Sequence, residues 1–201
     1  TKRRNVHIPR QVLRSCLREA LDWDRGVLWG YTLTHISREV DGKIRLEFDV
    51  AWKSEIHHAD FVVGADGIHS CVRAELLGEQ ISPLQYLGCI VILGICPLEA
   101  FPKHPLLDGE TVFQTVNAHE RIYMMPYDEN SIMWQLSFPL SEAEAKALSK
   151  KWAEVLKSEG LKRLRTWHRP IPEILSATSP TLITGYPVYD RKPIEQASLK
   201  D

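Results

Sequence analysis

The chain has 201 residues, with 25 Lys and Arg against 26 Asp and Glu, a formal net charge of −1 and a hydrophobic fraction of 44%. This is an ordinary globular composition, long enough to bury a core without staples. The near-neutral balance and short basic runs (Lys2-Arg3-Arg4, Lys162-Arg163) exclude nucleic acid as the main partner, because counterion-driven binding needs a basic face. The longest apolar stretch, residues 87–98, is broken by Gly88, Gly94 and Pro97 and falls short of the about 20 residues that span a bilayer, so no transmembrane segment is expected.

Leu13, Leu17, Ala20 and Leu21, with Cys16 between them, recur at spacings of three and four after Pro9, which predicts an amphipathic helix over residues 9–22. From Val27 the period changes to two. Strands are expected through Tyr31 and Ile36 to an Asp41-Gly42 hairpin, and back through Ile44, Leu46, Phe48 and Val50. After a polar stretch holding His57, His58 and Asp60, the continuous apolar run of residues 61–65 predicts a strand buried on both faces. It ends at Asp66-Gly67. A short helix is expected over residues 69–77, with Ser70 as N-cap and Gly78 as its stop.

Residues 87–96, 111–116, 121–126 and 131–138 predict a meander of strands. Ser141 and Glu144 predict a capped helix running to about Glu159, and a second helical segment follows Gly160 until Pro170 and Pro172 break it. A last strand is expected over residues 181–189. The helices therefore lie between the fourth and fifth strands of one sheet. The four cysteines (Cys16, Cys71, Cys89, Cys96) form no C-x-x-C pair, which favours a reducing, cytoplasmic compartment. The chain opens on Thr1 and shows no signal peptide, so it is expected to be a piece of something longer.

Chemistry concentrates in Asp60-Phe61-Val62-Val63-Gly64-Ala65-Asp66-Gly67-Ile68-His69-Ser70-Cys71-Val72-Arg73. A buried strand would deliver an acid and a glycine at its C-terminal edge, where ligands bind in open α/β sheets. Asp66 can accept a hydrogen bond from a ribose or ribityl hydroxyl, and Gly67 permits positive φ or close approach. The helix beginning near Ser70 is expected to offer free amide protons to an anion, with Arg73 adding charge for phosphate.

This string closely resembles the second fingerprint of the group A flavoprotein monooxygenases, the para-hydroxybenzoate hydroxylase family. His7-Ile8-Pro9-Arg10, followed by Leu13 and Leu17, is similar to the family's helix-opening arginine pattern. Pro187-Val188-Tyr189-Asp190-Arg191, followed by Pro193, is similar to the segment leading to its third fingerprint. The three occur in family order. No G-x-G occurs among the eleven glycines and no Gly-Asp follows Asp190-Arg191, so the chain resembles the middle of a family member and is not expected to hold FAD alone.

The resemblance implies an α/β fold: part of an FAD-binding, Rossmann-like domain over residues 1–80, a largely antiparallel substrate domain with helices on one face over 81–190, and a return segment over 191–201. It implies FAD and NAD(P)H as cofactors, with Arg10, Asp66, Gly67, Ser70, Arg73, Asp190 and Arg191 toward the flavin. It implies hydroxylation of an aromatic or other electron-rich small molecule by O2 through a flavin C4a-hydroperoxide. The cofactor does that chemistry, so no side chain is expected to act as nucleophile. The alternatives are a flavin epoxidase or halogenase of the same fold, or an inactive remnant serving as a folding or interaction module. Trp167-His168-Arg169-Pro170-Ile171-Pro172 is similar to the halogenase W-x-W-x-I-P signature without its second tryptophan, and a prolyl helix stop explains it as well. His57, His58 and Asp60 make an awkward metal site, since adjacent strand residues point to opposite faces, and no metal is expected. The aromatic and methionine residues of the meander (Tyr123, Met124, Met125, Tyr127, Met133, Trp134, Phe138) are read as core before pocket.

Overall fold

A computed structural model describes residues 8–21, 26–101 and 104–194. Within these the chain divides into two compact units: the described residues up to Arg18 with Tyr86–Val188, and Glu19–Gln85 with the described part from Tyr189 onward. His7 and residues 195–201 lie outside the described residues. No helix among the described residues is long and apolar enough to cross a membrane.

In the second unit, β1 (Tyr31–Arg38), β2 (Ile44–Val50) and β3 (Lys53–Ala59) form an antiparallel sheet in that order. The first hairpin turns where expected: Asp41 Oδ1 accepts from the Lys43 amide at 3.0 Å, and Gly42 takes a φ of 87°. β3 occupies the polar stretch before residues 61–65, to which the hydrophobic pattern assigns no bounded strand. It pairs fully with β2 through a tight turn at Ala51 and Trp52, whose φ values are 49° and 69°. The periodicity missed it because backbone pairing, rather than a row of β-branched side chains, holds it in place. α2 (Cys71–Leu77) packs on β1, and among the described residues of this unit Ile36 and Val72 are the buried hydrophobic ones.

Residues 61–65 correct the sequence expectation. They form no strand, and Phe61 and Val63 are 80% and 74% exposed. A continuous apolar run becomes a buried strand only when strands pair on both edges and layers cover both faces, and no described segment does this. The run instead passes close to α2, where a Cβ on Gly64 would lie 2.7 Å from Val72 Cβ.

The other unit is built on a five-stranded sheet ordered β5 (Phe113–Asn117), β6 (Glu120–Asp128), β7 (Ser131–Pro139), β4 (Leu84–Pro97), β8 (Ile183–Arg191). Ile90, Ile92, Ile122, Met124, Trp134, Leu136 and Phe138 alternate onto one face. There they meet Ala145, Leu156, Leu164, Ile171, Ile174 and Leu175 from α3 (Glu142–Ser149), α4 (Ala153–Leu164) and α5 (Ile171–Ala177). Each large side chain removed from water there contributes about 1.5–3 kcal/mol. Ser141 and Glu144 form the capping box that starts α3. The expected single helix to Glu159 is in fact two, broken at residues 150–152, and Gly160 does not interrupt the second. It lies buried inside α4, where a Cβ would stand 3.2 Å from Leu175, so it serves close helix packing. α1 (Arg10–Glu19) forms as predicted, with Leu13 and Leu17 exposed.

Candidate functional site

The Asp-Gly segment folds on itself. Asp66 precedes a 3-10 turn, Gly67–His69, that Gly67 enters at a φ of 76°; a Cβ there would meet no heavy atom within 4 Å, so glycine is needed for conformation and not for space. Ser70 then caps α2. The Asp66 carboxylate reaches forward: Oδ1 accepts from the Ser70 hydroxyl at 2.5 Å, and Oδ2 from the amides of Cys71 at 2.7 Å and Val72 at 3.3 Å. Ser70 Oγ accepts the Arg73 amide at 3.0 Å, and the Ser70 carbonyl accepts that of Ala74. The Ser70 hydroxyl, together with these amides, holds the Asp66 carboxyl below its usual 3.8, against a smaller opposing effect of desolvation.

The expectation of free amide protons for an anion is therefore not met. The first amides of α2 are taken by Asp66 and Ser70, and a carboxylate already sits at the positive end of the helix dipole. Arg73 is also committed: its Nη2 donates to the Ile68 carbonyl at 2.6 Å. The same carbonyl accepts from Arg191 Nε at 2.8 Å. Arg191 further donates to the Ser82 carbonyl and pairs with Glu79 at 3.3 Å, its side chain 11% exposed against 66% for Glu79. Ser82 Oγ donates to the Lys192 carbonyl at 3.0 Å, and Asp190 Oδ1 accepts the Arg191 amide at 2.7 Å.

The structure thus brings Asp66, Gly67, Ser70, Arg73, Asp190 and Arg191 into one hydrogen-bonded cluster. Arg10 is exposed on α1 and belongs to the other unit. Sequence reasoning missed Ile68, Glu79, Ser82 and Gly64. A backbone carbonyl carries no sequence signature. A lone glycine inside an apolar run does mark a close backbone approach, and Gly64 could have been found by it.

The meander residues separate by face. Met124, Trp134 and Phe138 are core, whereas Tyr123, Met125 and Met133 are half-buried on the opposite face with Leu93 and Gln135. The Arg121 guanidinium lies 5.5 Å from the Tyr123 ring centre, and its Nε donates to Gln114 at 3.0 Å. His57 and His58 point to opposite faces of β3, near Glu55 and Glu39 respectively. Trp167–Pro172 is the entry to α5: Pro172 sits in the first turn, and His168 bonds Thr115 Oγ1 at 2.8 Å and the Arg169 carbonyl at 2.7 Å.

No protein-family model matches the chain. In sequence it is 30% identical over 137 residues to the aurachin C monooxygenase/isomerase of Stigmatella aurantiaca, over 68% of this chain and 32% of that protein. It is 27% identical over 203 residues to monooxygenase cfoF of Aspergillus candidus, over 97% of this chain and 48% of that protein. In structure it is similar to Klebsiella pneumoniae HpxO complexed with FAD and uric acid, with a TM-score of 0.76 and 19% identity over 92% of this chain and 44% of that one. At that identity the likeness is one of fold. The chain spans less than half the length of each of these proteins.

Proposed function

The chain belongs with the FAD-dependent monooxygenases in sequence and fold, and from that premise we propose that it carries the Asp-Gly loop and the substrate domain of an enzyme that hydroxylates an aromatic or other electron-rich small molecule with NAD(P)H and O2. The observation that carries this reading is the self-capped loop itself. Gly67 leaves the outer side of the loop open. A carboxylate has about four lone-pair sites. Two protein donors reach Oδ2 and one reaches Oδ1, so Oδ1 keeps a site for a further hydroxyl. The residues present therefore fit the hydroxyl-bearing chain of FAD. They do not fit its phosphates at α2, whose amides are taken.

When bound, FAD supplies the activation of dioxygen after reduction by NAD(P)H. This chain's own residues bind and orient. Asp66, ionised throughout the physiological range, would accept a flavin hydroxyl in a charge-assisted hydrogen bond. We assign the open face of the five-stranded sheet to the substrate. Leu93, Met125 and Met133 exclude water there, while Tyr123 and Gln135 supply the polar groups that orient a small ring. The four thiols are free, in keeping with a reducing cytoplasmic compartment.

The test uses the natural protein that contains this chain. A flavin absorbance spectrum and aromatic-stimulated, NAD(P)H-dependent oxygen uptake are expected. Asp66→Ala should weaken FAD retention by about 1.5–3 kcal/mol, the worth of one charge-assisted hydrogen bond. Unchanged flavin affinity in that variant removes Asp66 from the site, and absence of flavin-dependent oxygen uptake removes the reading altogether.

A further inference from the structure

We propose that Arg191 is a positioning residue that sets the conformation of the Asp66–Gly67 loop by holding the Ile68 carbonyl, so that the loop and the returning chain around residues 189–192 form and release together.

One backbone oxygen, Ile68 O, receives two guanidinium donors, Arg73 Nη2 from within α2 and Arg191 Nε from 123 residues further along the chain. Two donors match the two lone pairs of a carbonyl. Arg73 alone would tie the 3-10 turn only to its own helix, and both could move as one piece. Arg191 adds an outside reference. Its planar fork spans Ile68 O and Ser82 O, with Glu79 beside it. A lysine cannot span two carbonyls in this way, since its ammonium is a point charge on a flexible stem. The Ser82 hydroxyl closes the arrangement by donating to the Lys192 carbonyl, the residue after Arg191, and Ser82 is 4% exposed. The Asp190 carboxylate accepts the Arg191 amide and so fixes the backbone from which the guanidinium departs.

Glu79 does not explain the arrangement. Its carboxylate is two-thirds exposed, and such a pair contributes little. The half-hidden donors instead face backbone carbonyls, whose positions define the loop. By linkage, any ligand that binds only the formed loop also favours the docked return segment, to the same degree in both directions. The inference concerns loop order, and it stands or falls separately from the flavin reading.

The test is amide hydrogen exchange and carboxyl titration by NMR on the full 201-residue chain. Arg191→Met keeps the apolar stem and removes the donors. Exchange at Ser70, Cys71 and Val72 should accelerate about tenfold or more, and the Asp66 titration should move up toward its ordinary value, while β1–β3 keep their protection. Arg191→Lys should restore part of both. Glu79→Gln should change neither. Unchanged loop protection and Asp66 titration in Arg191→Met overturn the proposal. So does equal loosening of β1–β3, which would make Arg191 a general stabiliser, and so does a Glu79→Gln effect as large as that of Arg191→Met. If Arg191→Met does not fold, Arg191→Lys decides: a graded loss confined to residues 66–72 supports the proposal, and wild-type protection there overturns it.

Discussion

The five-stranded unit seals Trp134, Phe138, Leu136, Ile90 and Ile92 between its sheet and helices. The unit holding the Asp-Gly loop buries only Ile36 and Val72 among its described hydrophobic residues, together with Ser70 and Ser82. The first is organised by volume and the second by donors and acceptors. A packed core responds to lost methylenes, whereas a loop tied by carboxylate, hydroxyl and guanidinium responds to charge, geometry and pH. The difference places conformational precision at the candidate site on side-chain-to-backbone hydrogen bonds, which can be removed one at a time.

The largest effect expected is that of Trp134→Ala, which empties a fully buried site and removes the indole N–H that the Thr178 hydroxyl accepts at 2.9 Å, leaving that hydroxyl its bond to the Ile174 carbonyl. A loss of about 3–5 kcal/mol is expected by urea unfolding followed at the sheet residues. The contrast between the units breaks if exchange in α2 rises as much as in β6 and β7. Gly64→Ala is the counterpart in the smaller unit, because its Cβ would stand 2.7 Å from the branched Val72 Cβ, which has no flexible end to move aside. A local cost of about 1–3 kcal/mol is expected, read as faster exchange in α2, and a neutral result would show that the close approach constrains nothing.

Asp66→Ala removes the three donor contacts that close the start of α2 and should cost about 1–2 kcal/mol there, with the five-stranded sheet untouched. The smallest effect concerns acid. Because folding lowers the Asp66 pKa, its contribution is complete above the usual 3.8 and disappears as the pH falls through the lower folded value. The same sign holds for Glu144 in the α3 capping box, where the Ser141 hydroxyl is the chief cause. Acidification below these ordinary carboxyl values should therefore loosen both helix starts while the core of the five-stranded unit persists. Protection at residues 70–73, taken relative to the intrinsic exchange rate at each pH, should fall with acid in the native chain and lose that dependence in Asp66→Asn.

Where local chemistry decides structure, the sequence was readable. Asp41-Gly42 made a hairpin, Ser70 and Gly78 bounded α2, Ser141 and Glu144 opened α3, and the alternating meander gave β5, β6 and β7. Where distant partners decide, it was not. Residues 61–65 have a strand's composition but no described neighbours to pair with, β3 has neighbours but not the composition, and Gly160 reads as a break until Leu175 is seen against it. The candidate site divides in the same way. Asp66, Gly67 and Ser70 were visible as a local motif. The freedom of the α2 amides was misjudged because it depends on where the Asp66 carboxylate turns, and the destination of Arg191 was hidden because Ile68 and Ser82 contribute only backbone.

Trp134 also gives the larger unit an optical reporter. Its indole is fully enclosed, lies against Gly94, and bonds a hydroxyl in place of water, whereas Trp29, Trp52 and Trp152 are already 53%, 96% and 81% exposed. Acrylamide should quench those three readily, whereas the part of the emission that Trp134→Phe removes should be a blue-shifted residual band that resists the quencher. When the core opens, that residual band should shift red and become accessible to the quencher, and events confined to the Asp-Gly loop should leave it unchanged.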